Sequence, residues 1–132
     1  MKRILVVDPT TSLRTHIRSI CTALGLASVD EVESGTEAWT LLVRDPGAYA
    51  LVISEIRLPG NLDGIELLRT LRADPRGREI PFVILTAENH PSFAVAAGLG
   101  GATDYLLRPR GVDDLRERLR ALATAENEST AA

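Results

Sequence analysis

The chain has 132 residues, 45% hydrophobic and 25% charged, with a formal net charge of −3. This length suits one domain with a sizeable core, and the balance of residues excludes a disordered chain or a strongly basic nucleic-acid binder. No apolar run is long enough to span a bilayer, and no secretory leader is read at the N-terminus. Cys21 is the single cysteine and cannot form an internal disulfide, so a reducing, cytoplasmic setting is expected.

Taken in order, four short apolar runs stand out: Ile4 to Val7, Ala50 to Ile53, Phe82 to Leu85 and Tyr105 to Leu107. A weaker one lies near Val29 to Val32. Continuous runs of this kind, without polar alternation, suit strands buried on both faces of a parallel sheet. Between them the apolar residues recur at helical spacing. Leu13, Ile17, Ile20 and Leu24 form one stripe, with Gly25 as its stop. Ser34 with Glu37, and Asp63 with Glu66, read as capping boxes for the second and third helices, the latter ending at Pro75. A small apolar stretch from Ser92 to Ala97 closes at Gly98. The last helix carries Val112, Leu115, Leu119 and Leu122 on one face. The folded unit is expected to span residues 1–126, with a frayed polar tail over 127–132.

Five strand–helix units with right-handed crossovers make an α/β domain with a doubly wound parallel sheet. In such sheets the chemistry gathers beyond the carboxyl ends of the strands. The residues found there are Asp8, Glu55, Thr86 and Arg108, all polar or charged.

These runs and the residues that follow them carry a resemblance. Ile4-Leu5-Val6-Val7-Asp8, Val52-Ile53-Ser54-Glu55 with Leu58-Pro59 and Asp63-Gly64, Ile84-Leu85-Thr86-Ala87-Glu88, and Tyr105-Leu106-Leu107-Arg108-Pro109 stand in order over about residues 2 to 124. In this the chain resembles the receiver domain of two-component response regulators, the group that includes the chemotaxis regulator. The resemblance implies a flavodoxin-like fold with five helices and strand order 2-1-3-4-5. It also implies a phosphoacceptor carboxylate after the third strand, two acidic residues after the first that help hold Mg²⁺, and a Thr and a Lys that bind the phosphoryl oxygens. The metal and the cationic donors would neutralise charge around an in-line attack.

Three positions depart from that pattern and suggest a degenerate, pseudo-receiver site. Glu55 stands where the family has Asp. Its extra methylene pushes the carboxylate into the phosphoryl volume, where a misplacement of about 1 Å costs on the order of 100-fold in rate. Glu55 is therefore either a tolerated acid in a disused site or a stand-in for the acyl phosphate. As a stand-in it is incomplete, because a phosphate monoester carries a charge of about −1.5 to −2. The acidic pair is reduced to Asp8-Pro9, with Pro9 suited to the first helical turn and Asp8 to its N-cap. Asp8 with Glu55 would hold Mg²⁺ only weakly, and no functional metal or other cofactor is expected.

In the third departure, the lysine position holds Arg108, followed by Pro109. The arginine-rich composition alone accounts for this, since Lys2 is the single lysine among fifteen cations. Alternatively, Arg108 pairs with Glu55 or Asp8 and forks onto the carboxylate. Thr86 remains in place, its hydroxyl expected to donate to Glu55. Tyr105 matches the family's switch aromatic and is expected to turn inward.

Arg108, Arg110, Arg116, Arg118 and Arg120 alternate with Asp113, Asp114 and Glu117 and read first as a solvated helix face. The sharper alternative is a site for an anionic small molecule such as a nucleotide. His16 and His90 read as surface or capping residues, Trp39 and Cys21 as core. The expected function is a stand-alone signalling module, not an enzyme, working through protein contact without phosphorylation. Its docking face would be the fourth helix, fifth strand and fifth helix, with no nucleic acid or membrane partner and a monomer or weak homodimer as the resting state. A response regulator still phosphorylated by a histidine kinase is the rival reading.

Overall fold

The computed structural model describes residues 2–26 and 28–131. Five strands alternate with five helices: β1 Arg3–Val7, α1 Thr11–Ala23, β2 Val29–Val32, α2 Gly35–Arg44, β3 Tyr49–Ser54, α3 Gly64–Ala73, β4 Phe82–Thr86, α4 Pro91–Gly100, β5 Asp104–Leu107 and α5 Gly111–Ala131. Short 3-10 turns follow α2 and α3, at Pro46–Ala48 and Pro75–Gly77. The strands form one parallel sheet in the order β2-β1-β3-β4-β5. The doubly wound parallel sheet is the one expected from the apolar runs, and its strand order is the flavodoxin-like one that the family resemblance implies.

Because each central strand is apolar throughout, it buries side chains on both faces and divides the core in two. One cluster lies under α2, α3 and α4 and includes Leu5, Val7, Val52, Phe82, Ile84, Leu67 and Leu71; all five aromatic residues pack in or against it. The other lies under α1 and α5 and includes Ile4, Val6, Ile17, Ile53, Val83, Leu115 and Leu119. No buried residue belongs to both.

The helix ends depart from the sequence reading in four places. Asp8 is not the cap of α1: its Oδ1 accepts from the amide of Thr10 at 2.7 Å, and the helix starts at Thr11 with Thr10 as its N-cap. This local turn holds Pro9 ahead of the helix instead of inside its first turn. Asp63 and Glu66 close a reciprocal capping box, whereas Ser34 only accepts the Glu37 amide and its hydroxyl donates to the Glu37 carboxylate. Gly98 lies inside α4, which runs on to Gly100 and ends at Gly101 with φ of 93°. A left-handed residue there satisfies the last carbonyls, and glycine adopts it without steric cost. Helical backbone also continues past Glu126 to Ala131, in a stretch without Gly or Pro to break it.

Candidate functional site

Backbone hydrogen bonds carry the parallel ladder one residue beyond three of the strands. Asp8 N–H donates to Val32 O at 3.1 Å, Glu55 N–H to Val7 O at 2.9 Å and Arg108 N–H to Thr86 O at 2.7 Å. With Val7 in register with Ser54, Ser54 with Ile84 and Thr86 with Leu107, the four polar residues gather at one carboxyl edge. Asp8, Glu55 and Thr86 are all buried there, with exposures of 4%, 7% and 0%.

Both oxygens of the Glu55 carboxylate are engaged. Oε1 accepts from the amide of Ile56 at 2.7 Å, and Oε2 accepts from Arg108 NH2 at 3.1 Å. The contact between Arg108 and Glu55 is single, not a fork, because Oε1 is turned onto the backbone. Arg108 Nε lies buried with no hydrogen-bond partner among the described residues. Asp8 does not pair with Arg108; among the described residues the guanidinium makes its ion pair with Glu55. Pro9 and Pro109 flank these positions in sequence and supply no donor.

Burial pushes the Asp8 carboxyl above its ordinary value. The nearby negative Glu55 adds to this, while the Thr10 amide and the Arg108 charge offset part of it. Close packing fixes the floor of the site. Gly64 N–H donates to Ile56 O at 2.9 Å, and a Cβ on Gly64 would lie 2.1 Å from the Glu55 carbonyl oxygen.

Thr86 and Tyr105 are drawn to Glu88. Thr86 Oγ1 accepts from the Glu88 amide at 3.1 Å, and no hydrogen bond joins Thr86 to Glu55 among the described residues. The expected donation to Glu55 is absent among the described residues, and the Thr86 hydroxyl oxygen is turned to the Glu88 amide instead. Tyr105 is half-buried against the core cluster beneath α2, α3 and α4, and its hydroxyl donates to Glu88 O at 2.5 Å. Burial raises the Tyr105 hydroxyl above its ordinary value, as do the negative Glu88 and Glu55. At the mouth, Arg57 Nε donates to Glu88 Oε1 at 2.8 Å, and its guanidinium sits 5.3 Å from the centre of the Phe93 ring.

Arg14 was missed in the sequence. It is 8% exposed, with NH1 donating to Asp8 O at 2.5 Å, NH2 donating to Thr11 Oγ1, and its guanidinium facing Glu31. The signal was present: Arg14 stands three residues before Ile17, on the buried stripe of α1. The two histidines play the parts expected of them, His16 exposed and His90 accepting the Ser92 amide at the start of α4. Cys21 is fully buried, which raises its thiol to about 11.

Divalent metal fits this donor set poorly. Pro9 offers no carboxylate, and three of the four carboxylate oxygens of Asp8 and Glu55 already accept protein donors. Among the described residues no group of three or more His, Cys, Asp or Glu is arranged to hold a metal ion.

Comparison with known proteins gives the same frame. Residues 4–120 match the response regulator receiver domain family. The chain is 31% identical over 130 residues to the chemotaxis protein CheY homolog of Campylobacter jejuni, covering 98% of each. A receiver domain protein from Clostridium thermocellum superposes with a TM-score of 0.80 at 23% identity, over 96% of this chain and 98% of that one. The receiver domain of a sensor histidine kinase from Pseudomonas aeruginosa, solved with magnesium in its active-site cleft, superposes with a TM-score of 0.74 at 28% identity, over 91% and 98%. On these grounds the chain belongs to the response regulator receiver domain family.

Proposed function

We propose that this receiver domain signals without phosphoryl transfer, its site filled from within by the Glu55–Arg108 pair. The observation that carries the reading is the engagement of both Glu55 oxygens, one by Ile56 N–H and one by Arg108. A nucleophilic carboxylate needs a free oxygen aimed at the incoming phosphorus and a metal beside it. Each oxygen of this carboxylate is already held by one protein donor, and position 9 supplies no second acidic side chain to hold the metal.

The anion of Glu55 also meets the arginine at the position where relatives carry the phosphate-binding lysine. Tyr105 is half-buried with its hydroxyl held, which suits an active-like state set at folding. Output then passes through the α4, β5 and α5 face. Val95, Leu99 and Leu107 are large hydrophobic residues exposed there at 60%, 84% and 41%, and α4 carries no charged residue. An exposed apolar face of this kind marks a protein contact.

Intact-mass spectrometry after treatment with acetyl phosphate and Mg²⁺ tests the first half, with no phosphate-mass adduct expected; a stoichiometric adduct overturns it. Capture of partners from native lysate by wild type and by Glu55→Gln tests the second. Reduced capture by the variant is expected, and equal capture removes the role of the Glu55 charge.

A further inference from the structure

We propose that a cleft at the opposite, amino edge of the sheet binds a basic, partly aliphatic segment of a partner protein. The cleft, about 590 Å³ in volume, lies between α5 and the starting residues of β3, β4 and β5. That volume is in the range of ligand-sized sites. It shares no residue with the Glu55 site, which sits at the other end of the strands.

Its chemistry is two-sided. Leu51 and Leu122 contribute apolar lining, while Asp104 at the start of β5 and Asp114, Glu117 and Arg118 along α5 contribute charged side chains. Two of these three carboxylates are matched by guanidinium groups, which leaves one net negative charge, at Asp114. Arg118 is bound to Asp104 at 3.0 Å, and Glu117 pairs with Arg120. The Asp114 side chain has no partner among the described residues.

A lysine or arginine side chain matches this combination, since its aliphatic stem packs on apolar surface while its head stays at a polar rim. Such a head would meet Asp114 directly and compete with Arg118 for Asp104. The other Asp104 oxygen accepts the backbone amide of Tyr105 at 2.8 Å, so an occupant touches the residue that precedes the switch tyrosine.

The test is an ¹⁵N–¹H titration of the full chain with a short helical peptide carrying lysines and paired leucines. Saturable shifts are expected at Leu51, Asp104 and Leu122, weaker at high salt because exposed charges are screened. Asp114→Asn should weaken binding about five-fold, the upper end for one exposed ion pair. Arg118→Ala should tighten it by freeing Asp104, an effect a merely structural role for Arg118 would not produce. The proposal is overturned if the peptide gives no saturable shift in the cleft, or if an acidic peptide of the same leucine pattern binds equally. Spermidine binding as tightly as the peptide, or the same shifts on concentrating the protein alone, also overturns it.

Discussion

The hydroxyl of Tyr105 and the backbone carbonyl of Glu88 meet at 2.5 Å, and Glu88 is held from two more sides, by Thr86 Oγ1 at its amide and by Arg57 at its carboxylate. The loop between β4 and α4 is thereby tied to β5 and to the loop after β3. Tyr105→Phe keeps the ring and removes one bond from this set. It is expected to cost about 0.5–1.5 kcal/mol, the usual net worth of one hydrogen bond, measured by urea unfolding. A change within error would mean that the loop is held without the hydroxyl.

Arg108→Ala takes the partner from a carboxylate whose side chain is 9% exposed. A loss of about 1–3 kcal/mol is expected, the cost of leaving a buried acceptor unpaired. The same change made in a Glu55→Gln background should cost less, and the difference between the two measures the pair itself. Equal costs in the two backgrounds would mean that Arg108 stabilises through its stem and not its charge.

The pH dependence of Asp8 follows from its raised carboxyl, set by burial first and by Glu55 second. A carboxyl that holds its proton more tightly folded than unfolded contributes stability in acid, below the unfolded value of about 4. That contribution is lost as pH rises through the folded value. Asp8→Asn removes the buried charge and keeps an oxygen for the Thr10 amide. Its urea midpoint is expected above wild type at neutral pH, with the gain disappearing below about pH 4. A gain independent of pH would point to packing.

Gly64→Ala drives a methyl group against the Glu55 carbonyl at the start of α3. Backbone cannot yield there as a side-chain tip would. A destabilisation of about 1–3 kcal/mol is expected, the range for overpacking, together with altered amide chemical shifts at Glu55 and Ile56. Unchanged stability would mean that α3 moves freely on its loop.

The sheet was legible because β1, β3 and β4 bury both faces, and continuous apolar runs have few other folded uses. The site was legible in position for the same reason: each polar residue follows such a run. Its hydrogen bonds were not. A side chain picks among partners by distances of tenths of an ångström, so the return of Glu55 Oε1 to the Ile56 amide and the turn of Thr86 toward Glu88 left no trace in residue order. Asp8 was misread as a helix cap because capping residues and local turns use the same oxygens and differ only in where the helix begins. Gly98 misled because glycine alone does not stop a helix. The left-handed residue is Gly101, two glycines later.

The placement of every aromatic ring on the α2, α3 and α4 side of the sheet decides what optical probes report. Near-ultraviolet dichroism and Trp39 emission watch that half of the molecule, and the half beneath α1 and α5 is silent to them. Loosening of α5 would pass unseen in a fluorescence melt, and only backbone dichroism or amide exchange would register it.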